Sequence, residues 1–301
     1  MAQVPTGTCA ILHFVSTAND IAGPVTVRLP GSGVELAGDL FGPADGPLVV
    51  FLHGGGQTRH SWKRTGVRLA AAGLRVVTLD ARGHGDSEWA PDGDYSRHRM
   101  VEDLHSVLRT LGRPAVVVGA SMGGITGLLA TAAPGAELIR ALVLVDIVVR
   151  PEPAGVGRVI DFLGKHTDGF ATLDEAADAV AAYLPHRPRP RSTDGLLRNL
   201  RKRGDRWYWH WDPAMMSGRV EDALDMTDRM EAAARAVTIP VLLVRGGQSD
   251  VVSKEGAAHF LALVPHAKLA EIGDAAHTAA GDDNDAFTDA VLDFVAPGGA
   301  T

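Results

Sequence analysis

The segment Pro114-Ala115-Val116-Val117-Val118-Gly119-Ala120-Ser121-Met122-Gly123-Gly124 constrains the fold more than any other stretch of the chain. A β-branched run ends in Gly-x-Ser-x-Gly, and a small-residue, helix-compatible segment, Ile125 to Ala133, follows. The order is strand, one sharp turn, helix. Glycines at 119 and 123 remove the Cβ atoms that would collide in so abrupt a reversal. Ser121 is therefore expected to project from the turn at a helix N-terminus, where backbone N–H groups and the helix dipole favour negative charge. The alternative is a glycine-rich turn whose serine only caps the helix.

The rest of the chain supplies a sheet around that turn. Val25 to Leu29 and Val34 to Leu40, separated by Pro30-Gly31-Ser32-Gly33, read as an antiparallel hairpin. Apolar runs at 47–52, 74–79 and 141–145 read as buried strands, and 240–245 and 267–272 as two further strands. They alternate with helical patterns at 62–72, 97–111, 254–263 and 285–295. Such alternation implies a parallel sheet with right-handed crossovers, whose ligand site lies beyond the strand C-terminal ends. Gly55, Ser121, Asp146, Asp250 and His277 all fall there.

Two regions break the rhythm. Residues 1–22 have no clean period and read as an N-terminal arm. From about Pro151 the strands cease until about residue 236, leaving helical patterns at 161–165, 172–183 and 223–237 around a proline-arginine loop, His186 to Arg191. The expected organisation is a core of 23–150 and 236–301 with an inserted, mainly helical cap over 151–235. Within it, Trp207-Tyr208-Trp209-His210-Trp211 holds three of the five tryptophans. Consecutive aromatics cannot all face one way, so Trp207, Trp209 and Trp211 are candidates both for cap packing and for a ligand pocket.

The third strand runs into His53-Gly54-Gly55-Gly56-Gln57. Phosphate-cradling loops need glycine spacings that are absent here. The other reading is an oxyanion loop, with Gly55 as first amide donor, Gly56 next, and Met122, the residue after the serine, as second donor. His53 is expected to hold this loop rather than to react. Asp80 and Asp86 are expected to order theirs, with Arg82 and backbone donors nearby. A serine hydroxyl is a weak nucleophile near neutral pH and needs an imidazole to take its proton. The imidazole needs a carboxylate on its other nitrogen. Of twelve histidines, His277 sits in the loop after the last strand. Asp250 is the expected carboxylate and Asp146 the alternative, whereas Asp274 is expected to order its own loop.

These pieces together resemble the α/β-hydrolase superfamily, in particular its capped bacterial esterases, non-haem haloperoxidase-like perhydrolases and epoxide-hydrolase relatives. The residues that carry the likeness are 52–62, 80–87, 119–124, Ser249-Asp250 and Ala276-His277. The resemblance implies an α/β fold with a mostly parallel eight-stranded sheet, the order Ser…Asp…His, and a carboxylesterase-type serine hydrolase without metal or organic cofactor. Epoxide hydrolases and haloalkane dehalogenases carry aspartate where this chain has Ser121, so their alkyl-enzyme chemistry does not transfer. Two other readings stay open: perhydrolysis or carbon–carbon bond hydrolysis on the same triad, and a non-catalytic small-molecule binding protein.

Composition narrows the partners. A net charge of −7 and no long basic run argue against nucleic acid and anionic membrane, which leaves a small-molecule substrate. Cys9 is the only cysteine, so no intramolecular disulfide can form. The longest apolar region, Ile125 to Val149, is interrupted by Pro134, Glu137 and Arg140. The expected location is cytoplasmic.

Overall fold

The apolar runs form one sheet. The computed structural model describes residues 23–185, 187, 189, 192–217, 223–273, 275–276 and 284–296. The expected arm, residues 1–22, lies outside them. Strands β1 (Val25–Pro30), β2 (Glu35–Phe41), β3 (Leu48–Leu52), β4 (Arg75–Leu79), β5 (Ala115–Ala120) and β6 (Ile139–Val145) precede a small separate hairpin, β7 (Leu200–Arg203) and β8 (Arg206–Trp209). Strands β9 (Val241–Gly246) and β10 (Lys268–Ile272) complete the main sheet, in the order β1-β2-β4-β3-β5-β6-β9-β10. The β1–β2 and β2–β4 pairs are antiparallel, and all the others in this sheet are parallel.

Alternate side chains of each strand enter opposite layers. In β5, Val116 and Val118 join Phe51, Trp62 and Phe287, while Val117 joins Leu104, Leu128 and Phe260 on the other face. All three valines are fully buried, which is why their run is continuous rather than alternating. Helices α1 (Lys63–Ala71) and α9 (Asn284–Val295) cover one face. The other is covered by α2 (Arg97–Leu111), α3 (Met122–Ala130), α7 (Ala223–Ala236) and α8 (Lys254–Leu263). Local signals bound α2: the Ser96 side chain accepts the Arg99 amide, and Gly112 closes the helix at φ 72°.

The insertion between β6 and β9 differs from the expectation in three ways. Helix α4 (Pro153–Gly164) starts earlier than the pattern at 161–165 suggests, with proline in its first turn. Gly155 and Gly157 dilute its helical signal, and Gly155 is required because a Cβ there would lie 2.2 Å from the Asp250 carbonyl. The mainly helical insertion also holds strand, since β8, which takes in Trp207 to Trp209, pairs antiparallel with β7. Finally, α7 does not stay with α5 (Leu173–Tyr183) and α6 (Ala214–Ser217): Met230, Ala233 and Ala234 enter the main core. The insertion has its own small core instead, built from Phe170, Ala176, Leu196, Leu200, Trp209 and Trp211.

Candidate active site

The turn after β5 has the geometry its glycines foreshadow. Ser121 sits at φ 44°, ψ −111°, a conformation that costs a non-glycine residue about 1–3 kcal/mol. Its amide donates to the Val145 carbonyl (3.2 Å) and its carbonyl accepts from the Ile125 amide (2.9 Å), so strand and helix hold the turn from both sides. A Cβ at Gly119 would lie 2.3 Å from the Gly123 carbonyl oxygen, and one at Gly123 would lie 2.5 Å from that of Leu52. Two strands and a helix meet too closely here for any side chain. As the first residue of α3, Met122 has no carbonyl one turn earlier in the helix for its amide to bond.

The glycine loop after β3 lies beside the serine: a Cβ at Gly54 would be 3.5 Å from that of Ser121. Of its three amides, that of Gly54 donates to Gln57 Oε1 (3.1 Å) and that of Gly56 to His84 Nε2 (3.2 Å). Among the described residues the Gly55 amide has no partner. Leu163 of α4 and Trp211 press on the outer side of the loop. Built Cβ atoms at Gly55 and Gly56 would meet Leu163 at 3.2 and 2.6 Å, and the one at Gly56 would meet Trp211 at 3.2 Å.

Three buried imidazoles hold this loop. The Ala81 amide donates to His53 Nε2 (3.0 Å), which puts the proton on Nδ1, facing the Gly54 carbonyl (2.8 Å). His84 accepts the Gly56 amide at Nε2, so its Nδ1–H faces the Arg82 carbonyl (3.2 Å). His210, from the insertion, accepts the Gly85 amide at Nδ1 (2.7 Å) and turns its Nε2–H to the Gly56 carbonyl (3.2 Å). Ring centroids are 5.0 Å apart for His53–His84 and 5.7 Å for His84–His210. Burial lowers all three pKa values, His84 well below the ordinary range and His210 to about 3. With both nitrogens of each ring engaged by backbone, none has a lone pair left for a metal. No group of three His, Cys, Asp or Glu among the described residues could hold one.

The neighbouring loop is ordered by a different arginine from the one expected. Arg59, not Arg82, pairs with Asp80 and Asp86 (2.8 Å to the latter), while Arg82 clasps Asp103 through Nε (2.6 Å) and Nη2 (2.8 Å). Asp80 and Asp86 thus do order their loop, but through a residue from the preceding loop.

The two candidate carboxylates occupy unlike seats. Asp146 is fully buried at the end of β6, at φ 48°, and its amide donates to the Val244 carbonyl (2.7 Å). Its Oδ1 accepts the Gly246 amide (2.9 Å) and its Oδ2 accepts the Ser249 hydroxyl (2.5 Å). Ser249 in turn accepts the amides of Val251 (3.2 Å) and Val252 (3.0 Å). Asp250 is half-exposed, its side chain 39% accessible, and Arg158 Nη2 of α4 lies 2.8 and 2.7 Å from its two oxygens. His277 and Asp274 lie outside the described residues. Ala276, just before His277, has its carbonyl oxygen 2.4 Å from where a Gly246 Cβ would stand, and the Gln248 amide donates to the Ala275 carbonyl (2.9 Å). The chain entering His277 is therefore packed on the residue whose amide Asp146 accepts.

The tryptophans divide. Trp209 and Trp211 are buried and stacked, with centroids 4.9 Å apart, and Trp211 reaches the glycine loop. Trp207 bridges to Phe170 and lies under the Lys202 ammonium at 5.7 Å. Sequence reasoning alone assigns no role to His84, His210, Arg158 or Ser249. His84 stands between glycines in a loop at the strand ends, which is a usable signal, whereas His210 inside an aromatic run is not.

Comparison with known proteins agrees with this architecture. Residues 47–283 match the family model described as alpha/beta hydrolase fold. The esterase Rv0045c of Mycobacterium tuberculosis is 34% identical over 226 residues, which cover 71% of this chain and 70% of that one. Its crystal structure superposes with a TM-score of 0.72 at 27% identity, covering 91% and 92% of the two chains. The sn-1-specific diacylglycerol lipase ABHD11 of Mus musculus is 30% identical over 274 residues, 85% and 83% of the respective chains. No helix among the described residues is long and apolar enough to cross a membrane. The eight-stranded sheet, the strained serine between β5 and α3, and these relatives place the chain in the α/β-hydrolase family, as an enzyme of the hydrolase class.

Proposed function

We propose that the protein cleaves a carboxylic ester through an acyl-enzyme formed at Ser121. The observation that carries this reading is the pairing of a strained serine at a helix N-terminus with an adjacent glycine loop whose Gly55 amide has no partner among the described residues. Ser121 Oγ attacks the ester carbonyl while His277 takes its proton. The carbonyl oxygen becomes an oxyanion between the amides of Gly55 and Met122. The C–O bond to the alcohol breaks as His277 returns the proton to the leaving oxygen. Water, deprotonated by the same imidazole, then releases the acid and regenerates Ser121.

For the carboxylate, the seat of Asp146 supports the role better than that of Asp250. A triad acid orients the imidazole from a buried, hydrogen-bonded position. Asp146 has that position, and the chain entering His277 packs on its Gly246 partner. Asp250 is half-exposed and shares its charge with Arg158. In this proposal Asp250 links the acid loop to the cap, and Asp146 polarises His277.

Leu163 and Trp211 over the glycine loop support an apolar substrate beneath a cap formed by the insertion. The named activities of the relatives, an esterase and a diacylglycerol lipase, are compatible with such a substrate. Labelling with a fluorophosphonate, read by intact mass, tests the central step. One adduct on wild type and none on Ser121→Ala is the expected result. A folded wild-type protein that resists both a bulky and a small probe would sink the reading.

A further inference from the structure

The glycine loop is held only in part by its own hydrogen bonds, and one of its other supports comes from the insertion. In a planar trans peptide the carbonyl and the following N–H point in opposite directions. The Gly54 carbonyl faces His53 Nδ1–H and also accepts the Gln57 amide (3.1 Å), which fixes where the Gly55 N–H points. Gly56 comes next, at φ 73°, and is gripped at both ends: its amide by His84 and its carbonyl by His210. Rotation of either peptide would break one of these bonds inside a buried site. Burial keeps the three rings neutral near pH 7, so each retains one N–H and one lone pair for the task.

His210 differs from the other two in its origin. His53 and His84 belong to loops at the ends of β3 and β4, whereas His210 follows β8, 154 residues along the chain from Gly56. The stretch around it is stitched to the His84 loop. The Asp212 amide donates to the Gly83 carbonyl (2.9 Å), and Arg201 Nη2 donates to the Gly85 carbonyl (2.9 Å) and to Asp86 Oδ1 (2.8 Å). Tyr95 donates its hydroxyl proton to Asp212 (2.5 Å), tying the same stretch to the segment leading into α2. The β7–β8 hairpin and the residues after it are thus docked on the catalytic side of the sheet at four points besides the two bonds of His210, rather than standing away from it.

We propose that His210 is a positioning residue for the oxyanion loop: by accepting the Gly85 amide and donating to the Gly56 carbonyl, it makes the β7–β8 part of the insertion a fixed component of the oxyanion hole. The inference rests on the hydrolase reading above. Docking of the insertion and competence of the hole are one event, because the hydrogen bond that completes the loop exists only while the hairpin is seated. Transition-state binding depends on this bond and ground-state ester binding does not, since the oxyanion forms only as the serine attacks.

Two substitutions separate the two bonds of His210. His210→Asn keeps an acceptor at the Nδ1 position for Gly85 and removes the donor to Gly56. His210→Gln extends an amide N–H to the Nε2 position and restores that donor. The experiment measures kcat and KM with p-nitrophenyl butyrate, and inhibition by butaneboronic acid as a tetrahedral mimic. His210→Asn is expected to lower kcat by about ten- to a hundredfold, the range for a slightly misplaced catalytic group, with KM within about twofold. Boronate affinity falls in parallel, and His210→Gln regains most of both. Wild-type kcat in His210→Asn, a loss confined to KM, or equal losses in the two variants would overturn the inference. Should His210→Asn fail to fold, wild type and His210→Gln carry the test by proton NMR. An imidazole N–H in slow exchange, absent in the Gln variant and shifted by boronate in wild type, is the supporting result, and its absence in wild type counts against the proposal. Fluorophosphonate labelling of wild type reports on the serine alone, so failure of the hydrolase reading remains distinguishable from failure of this one.

Discussion

The turn at Ser121 and the loop at Gly54–Gly56 lie side by side, yet they are built in opposite ways. The turn is made chiefly by close backbone packing. Its glycines at 119, 123 and 124 sit where Cβ atoms would strike Gly123, Leu52 and Ile147, and its strained φ is imposed by the strand before it and the helix after it. The loop is pinned from within only at Gly54, by His53 and Gln57. Gly56 is held by side chains from elsewhere: His84 lies 28 residues away in sequence and His210 lies 154. A short motif can mark the first kind of site, because the residues that must lack a Cβ lie close together in the chain, even though the neighbours the turn admits, Leu52, Val145 and Ile147, come from other segments. The second kind is assembled from tertiary contacts, and a substitution far along the chain can disturb it.

That contrast can be broken or sharpened by experiment. The largest effect belongs to the turn. Ser121→Ala is expected to lower kcat by about 10⁴-fold or more with the fold unchanged, measured with a short p-nitrophenyl ester and circular dichroism. A variant that keeps a tenth of the activity would show that the nucleophile lies elsewhere. Next come the two carboxylates. Asp146→Asn is expected to cost about 10³–10⁴-fold in kcat, and Asp250→Asn about tenfold or less. The reverse ranking, in the same assay, would return the acid role to Asp250.

Gly123→Ala tests the backbone origin of the turn. A Cβ placed 2.5 Å from the Leu52 carbonyl cannot be relieved by rotating a side chain, so the contact between α3 and the end of β3 must open. A stability loss of about 1–3 kcal/mol by urea unfolding, together with lost activity, is the expected outcome. Unchanged stability would mean that the turn tolerates more freedom than its contacts imply.

The remaining effect concerns the loop and acid. His53, His84 and His210 are held neutral, chiefly by burial, with pKa values below the ordinary histidine range. The unfolded chain binds protons at these rings as pH falls through about 6.5, while the folded chain does not. Stability is therefore fully present above about pH 6.5 and is lost progressively below it, by up to about 1.4 kcal/mol per pH unit per histidine. For His210 that window extends down to about pH 3. Urea midpoints between pH 7 and pH 5 read histidines rather than carboxylates, which are still largely ionised there, and because burial also lowers His60 and His105 the share of His210 is read against His210→Gln. A wild-type slope no steeper than that of His210→Gln would show that His210 is not part of the acid response.

Much of the core was legible from sequence because strand and helix are encoded locally. The continuous valines of β5 announce burial on both faces, and Ser96 and Gly112 mark the ends of α2. The same reading failed in the insertion for a physical reason. Gly155 and Gly157 weaken the helical pattern of α4, but Gly155 is there to let the Asp250 carbonyl approach, a requirement no local pattern expresses. Aromatic residues suit both helix and strand surfaces, so the Trp207–Trp211 run does not distinguish the two on its own.

By itself, the sequence determined the parallel sheet, the sharp serine turn, the glycine loop beside it and a short set of candidate acids. Each rests on neighbours in the chain: periodicity, missing Cβ atoms, or position at a strand end. Only the tertiary structure decided how those parts are held. It set Asp146 in a buried seat and Asp250 against Arg158, gave Asp80 to Arg59 rather than Arg82, and brought His210 to the glycine loop. Ion pairs and hydrogen bonds act over a few ångströms of space regardless of distance along the chain. Which of several like residues a group meets is therefore settled by packing, after the local structure has formed.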